Sequence, residues 1–303
     1  MIFRAISIVL LLSTTLSAGI IEEVRGALAG NQFSSADAML KTYQTQHGVD
    51  SEYLEALSWM ARSALASGQL DQAQAYAAKT ESLSRQQLRK GKLDSQPHLA
   101  TALGAALEVE SQVLAKKNQR TEAVALLRKA LVAYGNTSIR ARLQKNLNLL
   151  SLVGKPAPQL DISEHLGPQP TPLARISGSP VLLFFWAHWC GDCKAEAPII
   201  AQLRTEFAPK GLVVVGPTQL YGFAGQQDSV TPQQELAYIE AVRQRYYSAL
   251  LDMPVPVSQK NFNNYGASTT PTIVVLDRGG HVSLYHPGAM SYNDLRAAIE
   301  KTL

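Results

Sequence analysis

"LLFFWAHWCGDCKAEAP", Leu182 through Pro198, holds both cysteines of a 303-residue chain, with Gly191 and Asp192 between them. The stretch follows an apolar run, Pro180–Phe185, of the kind that forms a buried strand, and opens into a segment with helical character. A structural disulfide across so short an interval closes too small a loop to restrict the unfolded chain much. A closed zinc site needs four ligands. No second C-x-x-C and no close histidine pair exists; His47, His98, His165, His188, His281 and His286 are scattered. A redox pair suits the setting better. At a helix N-terminus the aligned peptide dipoles and free N–H groups stabilise a thiolate at Cys190, and Cys193 lies one turn on. A rival is Cu(I) held by the same soft sulfurs with His188, although no methionine cluster accompanies them.

Working outward, "PVLLFFWA", "GLVVVGP", "PTIVVLD" and "HVSLYHPG" read as strands. Between and after them, "CKAEAPIIAQLRTEFA", "PQQELAYIEAVRQRYY" and "SYNDLRAAIEKTL" read as helices. In the second helix Leu236, Ile239, Val242 and Tyr246 form the inward stripe. "DRGGH", Asp277–His281, is a hairpin signal. This alternation predicts an α/β fold whose mixed central sheet is covered on both sides. "PTQLYGFAGQQDSVTP", Pro217–Pro232, reads as a long loop, either functional or passive surface.

With these residues assembled, the C-terminal half resembles the thioredoxin fold, and within it the TlpA/ResA-type thiol–disulfide oxidoreductases. "VGKPAP" from Val153 resembles the family's opening, and "STTPTIVVLDRGGHV" from Ser268 its second signature. The resemblance covers about Val153–Leu303. It implies a thioredoxin-like domain that exchanges disulfides with protein substrates through a Cys190–Cys193 disulfide. No cofactor and no metal is implied, because electrons travel by thiol exchange. Cys190 would attack and Cys193 resolve. Pro271 matches the family's cis-proline and, with Thr270 before it, would position a substrate strand. Glu196 matches the family's glutamate one turn beyond Cys193 and would handle protons; an exposed helix residue is the alternative. Trp189 is expected to shield the cysteines and offer substrates a flat contact, with His188 a surface residue and Lys194 pointing to solvent. Two residues tune the pair: Gly191 leaves the approach to Cys190 open, and Asp192 adds negative charge beside the thiolate, which favours a reducing pair. The chain departs from thioredoxins proper in having Phe184 where they carry a buried aspartate, six residues before the first cysteine.

The grammar changes at "LVGKPAPQLD", Leu152–Asp161, where two prolines and a glycine end a long helical run. From Ile20 to Leu152 the chain is rich in Ala, Leu and Gln, and Pro97 is its one proline. Three segments share a pattern: "NQFSSADAML" (Asn31–Leu40), "GQLDQAQAYA" (Gly68–Ala77) and "NQRTEAVALL" (Asn118–Leu127). Each has Gly or Asn, then Gln, then alanines at matching offsets: Ala36/Ala38, Ala73/Ala75 and Ala123/Ala125. Gly or Asn suits the turn between two helices, and small alanines let those helices approach. The intervals of 37 and 50 residues resemble degenerate tetratricopeptide repeats, whose period is about 34 residues. A plain helical bundle competes with that reading.

The opening "MIFRAISIVLLLSTTLSAG" has one positive charge, an apolar run and a small-residue end, the pattern of a secretory signal cleaved near Ala18 or Gly19. The run is shorter than the roughly 20 residues a bilayer span needs. The predicted organisation is a signal peptide over 1–19, an all-α helical-repeat domain over 20–151 and a thioredoxin-like domain over 152–303. A periplasmic or otherwise exported location follows. Net charge is +4, and residues 20–152 hold 16 Lys/Arg against 12 Asp/Glu. With no nucleic-acid motif present, that excess points to a protein partner on the helical domain rather than to nucleic acid. A third reading makes the chain a helical adaptor with an accessory thioredoxin domain; the intact C-x-x-C and T-P-T pair count against it.

Overall fold

The computed structural model describes residues 19–303 apart from Lys90 and Ser177, so all of the signal reading except Gly19 lies outside the described residues. The N-terminal half contains α1 (Ile20–Ala29), α2 (Phe33–His47), α3 (Ser51–Ala66), α4 (Leu70–Leu88), α5 (Pro97–Lys116), α6 (Arg120–Tyr134) and α7 (Arg140–Ser151). The first six form three helix hairpins whose turns are built alike. Asn31, Gly68 and Asn118 stand at φ 57°, 74° and 62°, the left-handed conformation that Gly and Asn tolerate best. The next residue closes each turn back onto the first helix: the N–H groups of Gln32, Gln69 and Gln119 donate to Ala27, Ala64 and Leu114 carbonyls at 2.8, 2.9 and 2.8 Å. These bonds satisfy carbonyls that a helix end leaves free.

Only the first alanine of each predicted pair does the close packing. Ala36, Ala73 and Ala123 are fully buried, whereas Ala38, Ala75 and Ala125 are exposed. Two residues on is about 200° around a helix, which carries the second alanine to the far side. The buried partner of the first is instead four residues on, at Leu40, Ala77 and Leu127.

In the C-terminal half, β2 (Val181–Phe185), β3 (Val213–Val215), β7 (Thr272–Leu276) and β8 (Val282–Pro287) form a sheet of order β3-β2-β7-β8. β2 runs parallel to β3 and antiparallel to β7, and β7 pairs antiparallel with β8, so the sheet is mixed as expected. All five residues of β2 are buried, and they alternate between two cores. Leu182 and Phe184 face one built with α8 (Gly191–Phe207), α9 (Pro232–Tyr246) and α11 (Tyr292–Glu300). Val181, Leu183 and Phe185 face another with α10 (Gln259–Tyr265) and the segment around Leu152 and Ala157. A strand covered on both faces reads as continuous apolar sequence.

Two sequence expectations shift. The inward stripe of α9 ends on Tyr247, which is 1% exposed, while Tyr246 is 40% exposed; the helix stops at Tyr246 and the chain turns in behind it. The 217–232 stretch contains a small hairpin of β4 (Phe223–Ala224) and β5 (Gln227–Asp228). The remaining short strands, β1 (His165–Leu166) and β6 (Val255–Pro256), pair with each other.

The halves meet through α7. Asn148 donates its Nδ2 hydrogen to the Tyr265 carbonyl at 2.9 Å in a buried contact. Gly266, at φ 62°, lies so close to α7 that an added Cβ would stand 2.2 Å from the Lys145 nitrogen.

Candidate active site

β2 delivers the chain into the site. Beyond it, Trp186 is buried and fixed by three bonds: its Nε1–H donates to the Gly216 carbonyl at 2.9 Å, its N–H to Pro217 at 3.1 Å, and its carbonyl accepts the Thr218 hydroxyl at 2.9 Å. Ala187 to Trp189 then turn the chain, and Cys190 becomes the N-cap of α8, its Sγ accepting the Cys193 N–H at 3.0 Å. Cys190 and Cys193 are joined in a disulfide with Cα atoms 5.3 Å apart. Cys190 is 3% exposed and Cys193 is 0%. Gly191 and Asp192 are exposed in the first turn, and a side chain at Gly191 would meet nothing within 4 Å. Pro198 sits inside α8 without ending it.

Glu196 is buried. Its Oε1 accepts the Met290 N–H at 2.9 Å, and its Oε2 has no partner. Burial pushes its carboxyl up to about 7; the Met290 N–H opposes this, and Asp192 adds to it. The Tyr247 hydroxyl is also buried without a partner, and its pKa is raised by burial and then by the Glu196 charge. Tyr247 packs against Trp186, with ring centroids 4.6 Å apart, and against Phe184. Phe184 thus fills apolar space in the core that holds the cysteines, and the buried acid nearby comes from α8.

The Thr270–Pro271 bond is cis. β7 starts at Thr272 opposite Phe185, which places Thr270 and Pro271 at the sheet end where β2 feeds the cysteine turn. The Pro271 carbonyl accepts the Gly288 N–H at 2.8 Å, and Thr270 Oγ1 is buried with no partner. Trp189 is 49% exposed and meets Tyr221 edge-to-face at 5.5 Å. Lys194 is half-buried and lies over the Tyr246 ring at 4.8 Å, a contact the solvent-facing expectation missed.

His188 is 1% exposed rather than a surface residue. Its Nε2–H donates to Glu235 Oε1 at 3.2 Å, with the tautomer set by that partner. The rings of Tyr221, Phe223 and Tyr238 surround it edge-on at 5.5, 4.9 and 5.3 Å. Burial lowers its pKa, and the bond to Glu235 opposes that. Glu235 also accepts the Tyr221 N–H at 2.6 Å and the Gly222 N–H at 2.8 Å. One buried carboxylate on α9 therefore ties the 217–232 segment to the turn before Cys190. Sequence reasoning passed over Glu235, yet a signal existed: it precedes Ile239 and Val242 at helical spacing, an acid in phase with the core.

A strand, a C-x-x-C helix N-terminus, a cis-proline opposite it and a mixed sheet define a thioredoxin-like thiol–disulfide oxidoreductase domain. Residues 153–284 match the AhpC/TSA family, and the C-terminal half is a thioredoxin-like domain. It is 27% identical over 148 residues to thioredoxin-like protein YneN of Bacillus subtilis, covering 48% of this chain and 78% of YneN. It is 24% identical over 149 residues to thiol-disulfide oxidoreductase ResA of Bacillus anthracis, covering 49% and 78%. Among solved structures, a putative thiol:disulfide interchange protein DsbE from Chlorobium tepidum aligns at 25% identity and TM-score 0.38, over 50% of this chain and 96% of that one.

Proposed function

We propose that the protein is an exported reductase of disulfides in protein substrates, acting through the Cys190-Gly191-Asp192-Cys193 pair. The observation that carries this reading is Cys190 Sγ as the N-cap of α8, already accepting the Cys193 N–H. On reduction the same N–H and the helix dipole would stabilise a Cys190 thiolate. That thiolate attacks one sulfur of a substrate disulfide, forming a mixed disulfide and expelling the other sulfur as a thiolate. Glu196, ionised, takes the Cys193 proton; the Cys193 thiolate then attacks Cys190 Sγ, closing the Cys190–Cys193 disulfide and releasing the second substrate thiolate. Two electrons pass to the substrate, and a dithiol donor must restore the pair. Thr270 and Pro271 would align the substrate backbone, and Trp189 would contact it.

Export rests on the leader over residues 1–19. The helical half, taken as 20–151 with the redox domain over 152–303, is read as a tetratricopeptide-like array that holds a protein partner. Its three matching turns and its excess positive charge support this.

The test is the equilibrium of the pair against glutathione. A reductase should lie below about −220 mV, and Asp192→Asn should move it towards more oxidising values by relieving the thiolate of a neighbouring charge. A potential of about −120 mV, the range of strong oxidants, would overturn the reducing direction.

A further inference from the structure

Between α1 and α3 lies a cleft of about 620 Å³ that has no part in the thiol chemistry. Trp59 stands in it, with the guanidinium carbons of Arg62 and Arg25 at 4.3 and 4.6 Å from the ring centroid. Leu28, Ala29 and Ala66 supply an apolar lining. Arg62 Nε and Nη2 and Trp59 Nε1 are buried and bond to nothing. Such groups are costly to bury unpaired, and a native structure seldom leaves several together.

Glu108 and Glu55 act on Arg62 through their charge, but neither bonds its Nε or Nη2. Glu55 is taken by His98 at 2.8 Å, and Glu108 by Lys145 at 2.7 Å. Glu22 lines the cleft, but its carboxylate lies beside Gly19, 3.3 Å from where a Cβ there would stand. Burial, with Arg142 as the next cause, draws the Arg62 pKa down to about 10, so it stays charged at neutral pH. The buried unpaired groups here are all donors, since guanidinium and indole nitrogens offer no acceptor, and Glu22 brings a single carboxylate to the lining. An anion fits this set, and stacking on Trp59 holds the guanidiniums in place for it.

We propose that the cleft docks an acidic segment of a protein partner, its carboxylate paired with the exposed Arg25 guanidinium and attracted by the Arg62 charge buried on the same Trp59 ring. An aliphatic side chain beside that carboxylate would lie against Leu28, Ala29 and Ala66. The inference rests on the reading of the helical half as a partner-holding domain, and gives that domain a defined site. The size of the cleft and its apolar lining favour a peptide over a lone ion.

The experiment uses the full chain and a fluorescein-labelled peptide of Asp, Glu and Leu, with its Asn, Gln and Leu counterpart, read by anisotropy. The acidic peptide should bind, and the amide peptide about thirtyfold more weakly or not at all. Arg62→Met should weaken the acidic peptide to the same degree while melting close to the parent, because it removes two buried donors that bond to nothing. Should that variant fail to fold, Arg25→Gln at the exposed rim carries the test, with a smaller loss expected. Equal binding of the two peptides, or full retention in both variants, would overturn the proposal. So would complete displacement by acetate at the same carboxylate concentration, which would make the site one for small anions. The assay involves no thiol chemistry: an inert cysteine pair would leave it unmoved, and failed docking would leave the reduction potential unmoved.

Discussion

Replacing Glu196 by Gln should change how stability depends on pH, with a sign fixed by its burial. In the unfolded chain the carboxyl ionises near 4.5, whereas in the fold it holds its proton to about 7. Between those values the folded state binds the extra proton, so stability falls as pH rises and levels off above about 7. At about 1.4 kcal/mol per pH unit, the gap corresponds to a loss on the order of 3 kcal/mol. The substituted amide could still accept the Met290 N–H, but its own donors would be buried unmet, at a cost of about 1 kcal/mol. The variant should therefore be slightly less stable than the parent at pH 4.5 and about 2 kcal/mol more stable at pH 8. The assay is urea unfolding of the oxidised proteins from pH 4.5 to 8, where the cysteines do not titrate. A Trp59→Phe background confines the fluorescence to Trp186 and Trp189. His188 titrates in both proteins and cancels in the difference. Parallel stability curves for parent and variant would refute the assignment of Glu196 as a buried, proton-holding acid.

Cys193→Ala should accumulate mixed disulfides through Cys190, the N-cap sulfur, and Cys190→Ala should accumulate few; equal trapping on non-reducing gels would reverse or dissolve the assignment of roles. Glu235→Ala removes the acceptor shared by His188, Tyr221 and Gly222, so it should cost about 3 kcal/mol and speed proteolysis between 217 and 232. An unchanged urea midpoint and cleavage pattern would show that the segment is held some other way. A chain beginning at Leu152 should be less stable than one beginning at Ile139 by about 2 kcal/mol or more, because it lacks the helix that covers Gly266 and bonds Tyr265; matching midpoints would make α7 dispensable to the redox half.

The Cys190–Cys193 disulfide and the cis Thr270–Pro271 bond were legible in the sequence because each depends on residue identity, and few other patterns share it. The three hairpin turns were legible for a similar reason: a left-handed residue must be Gly or Asn in most contexts. What could not be read was rotation and reach. Ala36 and Ala38 look equivalent in a string, yet helix phase buries one and exposes the other. Tyr247 replaced Tyr246 because the stopping point of α9 depends on the turn that follows it. His188 looked like a surface residue because the groups that bury it, Tyr221, Phe223, Tyr238 and Glu235, come from a segment more than thirty residues away. Short-range periodicity carries no information about where such a segment folds back.

The contact at Gly266 bears on how these two halves could be recombined. A Cβ there would overlap the backbone of α7, and Asn148 bonds the Tyr265 backbone carbonyl. The junction therefore behaves as a fitted joint, matched in backbone shape, and not as a tether. A different catalytic half grafted after Ser151 would need its own glycine at that corner and a free carbonyl beside it. Such a chimera would otherwise be pushed apart at its seam, so the helical half and the redox half are portable only as a matched set.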